Sequence, residues 1–284
     1  SADRFINHYV MLPGHNLVVV RRQKSKVKSS MLYLGCPVWA NPKWKNTIYS
    51  KDAKSSDFLP QYARYFNSAE GNTTFYADPS EDTLTRWYHD TPEHYRFTLK
   101  VPQRISHHGG ADSLQQLQDW LKCMAPLGKK LAIIHLQLPA RAGPADVAHI
   151  STLVECISAQ YRCALEVRHP AFFDKGQYEI QLHKMLQQHS AERVVIDSRA
   201  LFSVPATTAA LTDAQAKKPR VPVHAISFSQ TPMLRFIGTD DESWVERVRL
   251  LENDPRVIAG GSDAAHTLAS GDGVADCDIG QRRL

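Results

Sequence analysis

The feature that most constrains the fold of this chain is a regular alternation between short β-rich runs and longer amphipathic segments. Several of the amphipathic segments open with Ser, Asp or Pro, as helices commonly do. Repeated β/α alternation predicts a parallel sheet, and seven or eight such units close into a barrel more often than they form an open sheet. The predicted strands are 31–39, 66–76, 94–102, 130–139, 163–170, 193–199 and 233–238, and the main predicted helices are 55–66, 80–90, 111–127, 144–160 and 177–189.

Short motifs in the same region resemble those of a known family. They are LGCPVW at 34–39, FNSAEGNTTFY at 66–76, KVP at 100–102, ISH at 105–107, LQLP at 136–139, EVRHP at 166–170, DSR at 197–199, KKPRVPVH at 217–224 and RFIG at 235–238. With these motifs in this order, the chain resembles the YecE-like family, also called domain of unknown function 72. The resemblance implies a fold similar to TIM barrels, and it implies no particular reaction.

These observations together predict an α/β protein in which residues 31–260 form a TIM-type (β/α)8 barrel. The last unit departs from the family pattern, because the segment 256–260 reads RVIAG and is followed by a tail rich in Gly, Ala and Asp. We therefore expect an incomplete or altered eighth unit. Residues 261–284 have little hydrophobic periodicity and are predicted to form a disordered tail.

Residues 1–30 are predicted to be a basic, disordered extension of the barrel. They contain six basic side chains and one acidic side chain, so they hold the whole net charge of +5 and leave the rest of the chain balanced. The apolar stretch 17–20 is too short for the core of a secretory signal, which leaves an organelle-targeting leader as the alternative. A protein that binds duplex nucleic acid usually carries a basic excess over its folded domain, so the balanced charge disfavours that role.

The cysteine and hydropathy patterns favour a cytoplasmic protein with no membrane partner. The five cysteines include no C-x-x-C pair, which gives no support to a zinc ribbon or a thioredoxin-type site. A reducing compartment suits unpaired cysteines of this kind. No uninterrupted apolar run approaches the roughly 18 residues that a membrane span needs.

Polar residues alternate with apolar residues on six of the predicted strands. Because strand residues two apart share a face, the apolar residues are expected to meet the helices and the polar residues to face the barrel interior. Most of the polar residues lie late in their strands, where barrel enzymes place their chemistry. The residues expected to face inward are Glu70, Asn72, Thr74, Lys100, His135, Gln137, Glu166, Arg168, Asp197, Arg199 and Arg235.

This inward-facing set contains four cations and three anions, which leaves room for an anionic group of a ligand. We predict a small anionic ligand, such as a phosphate, a carboxylate or a sugar derivative, and acid/base chemistry of a hydrolase, lyase or isomerase. The predicted catalytic residues are Glu166, His169 and Asp197, with Glu166 as the main acid/base group. The predicted substrate-binding residues are Trp39, Glu70, Asn72, Tyr76, Lys100, His107, Gln137, Arg168, Arg199, His224 and Arg235.

Other interpretations stay open on the residues alone. The charged set could be a self-satisfied structural network, and single histidines are more often hydrogen-bonded loop residues than ligands. A divalent metal could bind Glu70, Glu166, His169 and Asp197, but the neighbouring cations oppose it and no recognised ligand spacing is present, so no metal or other cofactor is predicted. A nucleic-acid-binding or metal-dependent nuclease-like barrel using 217–220, and a barrel that binds a metabolite without turnover, are the rival functions. The oligomeric state cannot be predicted from these patterns.

Overall fold

The structure, a computed structural model, describes residues 17–22, 31–229 and 231–238 of the chain. In these residues the strands are β1 (Leu17–Arg22), β2 (Met31–Gly35), β3 (Ser68–Gly71), β4 (Arg96–Lys100), β5 (Leu131–Gln137), β6 (Cys163–Glu166), β7 (Glu192–Arg193), β8 (Val195–Asp197) and β9 (Met233–Phe236). The α-helices are α1 (Phe58–Tyr62), α2 (Glu81–His89), α3 (Gln103–Ser106), α4 (Ser113–Cys123), α5 (Val147–Ser158), α6 (Gln177–Gln188), α7 (Arg199–Phe202) and α8 (Ala209–Lys217).

Five of the strands form a parallel sheet in the order β3-β4-β5-β6-β7. Each strand of this sheet is joined to the next by a segment that contains at least one helix, because parallel neighbours need a crossover connection. The order of strands in space follows their order in the chain. The predicted β/α alternation and parallel sheet are therefore confirmed for this half of the molecule.

Helix α2 shows how local sequence sets the element boundaries. Ser80 lies in an extended conformation and its hydroxyl accepts a hydrogen bond from the Thr83 amide, which caps the first turn. Acidic residues in the first turn and basic residues in the last turn complement the helix dipole. Leu84 and Trp87, three residues apart, bury the same face of the helix.

The remaining strands form a second, mixed sheet in the order β2-β1-β9-β8. Strand β1 is antiparallel to both of its neighbours, whereas β8 and β9 are parallel. The two sheets adjoin at two places, because Val194 alone separates β7 from β8 and the Glu70 amide donates to the Cys36 carbonyl just after β2 (3.0 Å).

The prediction of a disordered extension does not hold for Leu17–Arg22. These six residues pair at five positions with β2 and at four positions with β9. Composition could not reveal this, because the stabilising partners are the open backbone edges of two strands that lie far away in the sequence. The other residues of 1–30, and the predicted tail 261–284, lie outside the described part of the chain.

The structure supports the predicted barrel at the level of a mixed α/β fold with a five-stranded parallel sheet. Antiparallel β1 lies between β9 and β2, which is where the eighth parallel strand of a barrel would be expected. The segment 239–260, which contains the predicted altered eighth unit, is not among the described residues. Over the residues that are described, no helix is both long enough and apolar enough to cross a bilayer.

Two hydrophobic clusters lie on opposite faces of the parallel strands. The larger one packs strand residues such as Leu99, Ile134 and Leu165 against the helices. The smaller one joins residues from both sheets, namely Tyr33, Ile133, Ala164, Val194, Ile196, Leu201, Met233 and Ile237. Residues two positions along a strand from Ile133, Ala164 or Met233 share the face of this smaller cluster, and that face carries the charged residues described next.

Candidate functional site

Five charged side chains converge at the carboxyl ends of the strands, and we call them the ionic cluster: Glu70, Lys100, Glu166, Arg168 and Arg235. Four of them are at most 6% exposed. Arg168, which follows β6, is the most open of the five, with its side chain 15% exposed. For these five residues the alternation argument predicted the correct face of each strand.

Arg235 lies at the centre of the ionic cluster and bridges its two carboxylates. Its Nε and Nη2 atoms each donate to one oxygen of Glu70 at 3.0 Å, and its Nη1 atom donates to Glu166 Oε2 at 2.6 Å. Burial alone would raise the pKa of Glu70, but Arg235 and Lys100 hold it at about 2. Burial likewise opposes ionisation of Glu166, and Arg235 with Arg168 holds its pKa well below the usual range. Both carboxylates are therefore ionised at neutral pH.

Arg168 and Lys100 add two further cations to these two anions. The Nε and Nη2 atoms of Arg168 both donate to Glu166 Oε1, at 2.9 and 2.6 Å. The Lys100 amine lies 3.2 Å from Glu70 Oε1 and donates to Gln137 Oε1 at 3.1 Å. Burial, the main cause, lowers the pKa of Lys100 to about 8. With Lys100 protonated, the cluster carries one positive charge more than its two carboxylates neutralise.

His135 fills the space between the two carboxylates. Its Nε2 atom is 3.1 Å from Glu166 Oε2 and its Nδ1 atom is 4.0 Å from Glu70 Oε1. Neither ring nitrogen has a hydrogen bond of good geometry to any described residue, and burial lowers the pKa of the ring, which favours the neutral form. Strand alternation placed His135 on this face, but no functional role was assigned to it from the sequence.

An aromatic rim lies beside the Lys100 amine. The amine is 5.5 Å from the centre of the Phe75 ring, and that ring packs edge-on against His107 at 5.1 Å and Tyr76 at 5.2 Å. Burial, then Arg168, lowers the pKa of His107 to about 4, so its ring is neutral. Tyr76 is 74% exposed and can reach a ligand without repacking the core.

Asn72 does not continue strand β3 as the alternation argument assumed. The strand ends at Gly71 and the chain enters a 3-10 turn, Asn72–Phe75. Within the described residues, Asn72 Oδ1 is buried without a hydrogen-bond partner. Thr74 was predicted on the same inward face. Its hydroxyl instead donates to the Lys100 carbonyl oxygen at 2.6 Å, which holds the turn against β4.

Lys218 lies near enough to the ionic cluster to feel its charges, which the sequence did not predict. It follows helix α8, in the basic stretch 217–220. Burial and then the charge of Arg235 lower the pKa of Lys218, and Glu166 and Arg168 also act on it electrostatically. The connection between β8 and β9 brings this amine close enough for the charges of the ionic cluster to act on it, and no local pattern signals such a long-range placement.

Asp197 and Arg199 do not join the ionic cluster. They pair with each other, with Arg199 Nη2 2.7 Å from Asp197 Oδ2, and the Arg199 side chain is 64% exposed. The inner face of this strand carries Val194 and Ile196 instead. The prediction was wrong because 194–196 is apolar on both faces, so polarity could not show which face is inward. The extended segment also stops before Arg199, where helix α7 begins.

Three other predicted site residues have structural contacts elsewhere. Trp39 is buried in the core against Trp87, with ring centres 4.9 Å apart. His169 caps the 3-10 turn that follows it, because its Nδ1 atom accepts from the Ala171 amide at 3.2 Å. His224 Nδ1 lies 2.6 Å from Glu179 Oε1 on helix α6, in a group with Arg193 and His183.

Comparisons with known proteins were decisive for the family. The model of the family described as "Protein of unknown function DUF72" matches residues 33–265. The chain belongs to the DUF72 family. It is 38% identical over 212 residues to the UPF0759 protein YecE of Escherichia coli K12, covering 74% of this chain and 75% of that protein. It is 27% identical over 164 residues to the UPF0759 protein YunF of Bacillus subtilis 168, covering 55% and 57% of the two chains.

The fold agrees with a solved DUF72 structure. A DUF72 family protein from Thermotoga maritima superposes with a TM-score of 0.52 at 20% sequence identity, covering 81% of this chain and 77% of that one. At this identity the similarity concerns the fold alone. None of these relatives' names states a reaction, so the chemistry of this DUF72 member has to be argued from its own site.

The metal alternative loses its ligand set in the structure. His169 and Asp197 make their contacts away from Glu70 and Glu166, and in the described ranges no group of three or more His, Cys, Asp or Glu side chains is arranged to hold a metal ion.

Glu166 is a weak proton acceptor, because a carboxylate with a strongly depressed pKa stays ionised. Burial lowers the pKa of Lys100 to about 8, so this amine can exchange a proton close to neutral pH.

The ionic cluster should make the protein lose stability in acid. The pKa of Glu70 is about 2 in the folded protein and near 4.5 when unfolded, so its contribution is present above about pH 4.5 and is lost as the pH falls towards 2. We expect a loss of roughly 3 kcal/mol from Glu70 across this window, with Glu166 adding to it. Urea denaturation at a series of pH values measures this. A Glu70→Gln variant should show a shallower slope, and a wild-type stability that is flat across the window would contradict the assignment.

Proposed function

We propose that the carboxyl ends of the strands bind a small anionic molecule above the ionic cluster. The observation that carries this proposal is the surplus of cations: Arg235 already bridges Glu70 and Glu166, yet Arg168 and Lys100 also point at the same carboxylates. Surplus buried charge is costly unless a partner compensates it. A ligand carboxylate or phosphate would supply that partner.

Arg168 is the residue best suited to hold the anion. With Lys100 protonated, Lys100 and Arg235 supply one cation for each of the carboxylates of Glu70 and Glu166, so Arg168 is the surplus cation. Both Arg168 hydrogen bonds go to a single Glu166 oxygen, and its Nη1 atom has no hydrogen-bond partner in the part of the chain that the structure describes. A guanidinium with an open edge suits a carboxylate or a phosphate, and Lys218 adds positive charge nearby.

Acid/base turnover of the bound anion is part of this proposal. His107 and Tyr76 line the rim, and Lys100 exchanges its proton near neutral pH.

We also propose that the two sheets close into a barrel-like arrangement with β1 in the eighth position, which gathers these side chains at one mouth. A cytoplasmic location is part of the proposal, because the four cysteines of the described residues are free thiols, which suits a reducing compartment.

Anions should stabilise the wild-type protein through Arg168. At ten times the dissociation constant, phosphate, sulfate or malonate is expected to raise the melting temperature by about 3–6 °C relative to chloride at the same ionic strength. Arg168→Ala should abolish that shift. It should cost the free protein much less stability than loss of Arg235 would, because Glu166 remains paired.

Arg104→Ala is the matched control for this thermal-shift series. Arg104 forms a bidentate pair with Asp78 on the surface, so its loss should leave the anion response unchanged. No anion-dependent shift in the wild type would sink the proposal and leave the ionic cluster as architecture. Retention on DNA that falls steeply as the salt concentration rises would instead favour the nucleic-acid alternative.

A further inference from the structure

The Lys100 amine is placed differently from an ordinary buried lysine. It sits at the carboxyl end of β4, and its contacts are Glu70 Oε1, Gln137 Oε1 and the face of Phe75. Lys130 offers a comparison in the same protein, because it is equally buried at the other end of the neighbouring strand. Its amine is held by the carbonyl oxygens of Tyr88 and Thr91 at 2.5 and 2.6 Å.

The charges of the ionic cluster allow Lys100 to lose its proton without stranding another ion. With Lys100 neutral, Arg168 and Arg235 match Glu70 and Glu166 one for one, and the protonated imine nitrogen that forms afterwards restores the surplus positive charge. Glu70 keeps two hydrogen bonds from Arg235 after the ammonium is gone, and Gln137 can still accept from a neutral amine. The amine is therefore the most dispensable charge of the five.

We infer that Lys100 forms an imine with a small carbonyl compound whose acid group is held by Arg168, such as a 2-oxo acid. This inference rests on the proposed anion site and names its substrate class. The neutral amine adds to the carbonyl carbon and gives a carbinolamine, whose hydroxyl leaves as water with a proton from solvent as the C=N bond forms. Burial supports this chemistry: with a pKa of about 8, about one Lys100 amine in ten is neutral at pH 7, which is more than about a hundredfold the fraction for an ordinary lysine.

The anion-holding groups lie within reach of this amine. Gln137 accepts from the Lys100 amine and pairs in register with Glu166, whose carboxylate Arg168 contacts, so only strand β5 separates the strands from which the two cations extend. In a 2-oxo acid the carbonyl carbon is bonded directly to the carboxyl carbon. Lys100 would attack the carbonyl carbon while Arg168 binds the adjacent carboxylate. Tyr76 and His107 form the rim beside this amine through their edge-on contacts with Phe75.

Reductive trapping tests this inference on the full chain. Incubation with pyruvate or glyoxylate and cyanoborohydride delivers hydride to the imine carbon and fixes the ligand as a secondary amine, which peptide mass spectrometry locates. We expect at least about tenfold more label on Lys100 than on exposed Lys122, which reports ordinary amines, or on Lys130, which reports burial alone. Labelling should rise with pH and level off above about pH 8.

Variants separate the imine from the anion site. Lys100→Arg keeps the charge but cannot form an imine, so it should remove the label. If this variant fails to fold, Lys122 and Lys130 of the wild-type protein are the controls against which the label on Lys100 is compared. Arg168→Ala should lower trapping of pyruvate but not of neutral acetone. Label on Lys218 instead of Lys100, or no label above the Lys122 background, would overturn the imine. If the same protein still showed an anion-dependent thermal shift, the proposed function would stand without the imine. Equal trapping of acetone and pyruvate would overturn the anionic substrate class.

Discussion

Replacing Arg235 by alanine is expected to lower the free energy of unfolding by about 3–5 kcal/mol. The guanidinium makes three hydrogen bonds to Glu70 and Glu166, and all three side chains are at most 2% exposed. Its removal leaves two carboxylates in a space that water does not reach, with Lys100 and Arg168 as their remaining counter-ions. Urea denaturation, with the midpoint and slope both measured, gives the loss directly.

Arg104→Ala tests whether burial is the cause of this loss. Arg104 grips Asp78 with the same bidentate geometry, at 2.9 and 2.8 Å, but both side chains are nearly half exposed. A surface pair of this kind contributes about 0–1 kcal/mol. Similar losses for the two variants would contradict the importance given to burial. If Arg235→Ala does not fold, Arg235→Lys keeps the charge without the planar fork and should give an intermediate loss.

The inner faces of the charged strands could be predicted from sequence because polar and apolar residues alternate along them. On β4, β5, β6 and β9 the alternate positions are apolar, so a single polar residue such as Lys100 or Glu166 identifies the inner face. The helices were predicted for a similar reason, since Leu84 and Trp87 repeat at helical spacing. Where a local pattern of period two or near four exists, the fold follows from it.

The predicted site residues that contact other parts of the structure share the absence of such a pattern. Asp197 was placed inward although Val195 and Ile196 are both buried, so that strand had no polar face to read. His169 and His224 were chosen because they follow strands or lie in a long loop, yet their partners, the Ala171 amide and Glu179, are set by loop geometry. Lys218 reaches the ionic cluster through tertiary structure alone.

Helix α6 and the loop that crosses it illustrate the same limit. Glu179 accepts from Arg193 at 2.7 Å and lies 2.6 Å from His224, joining a helix, a strand and a loop through one carboxylate. Glu192 holds the same loop by accepting from the Phe228 and Ser229 amides. These contacts orient the connection that carries Lys218, so the position of that amine depends on residues with no apparent role in the sequence.

A proline at Val19 is expected to destabilise the protein by about 1–3 kcal/mol, because it removes a ladder hydrogen bond and leaves its acceptor unpaired. Val19 lies in the middle of β1 and pairs with Leu34 on β2 and with Leu234 on β9. A strand with neighbours on both sides uses its amides in the ladder, and proline has no amide hydrogen to donate. Val19→Thr keeps both the amide and the β-branched shape, so it should change the stability by less than about 1 kcal/mol. Thermal and urea denaturation of the full-length variants measure the difference.

A chain that begins at Met31 should show a larger effect than the proline, because all nine paired positions of β1 disappear together. The edges of β2 and β9 would then be open to pairing with other chains, so we expect aggregation as well as a lower melting temperature. Since β9 carries Arg235 two residues beyond Met233, loosening this edge should also weaken the anion response of the ionic cluster. Unchanged melting of both the proline variant and the shortened chain would mean that Leu17–Arg22 is dispensable, as its composition alone suggested, and that the parallel sheet holds the ionic cluster without it.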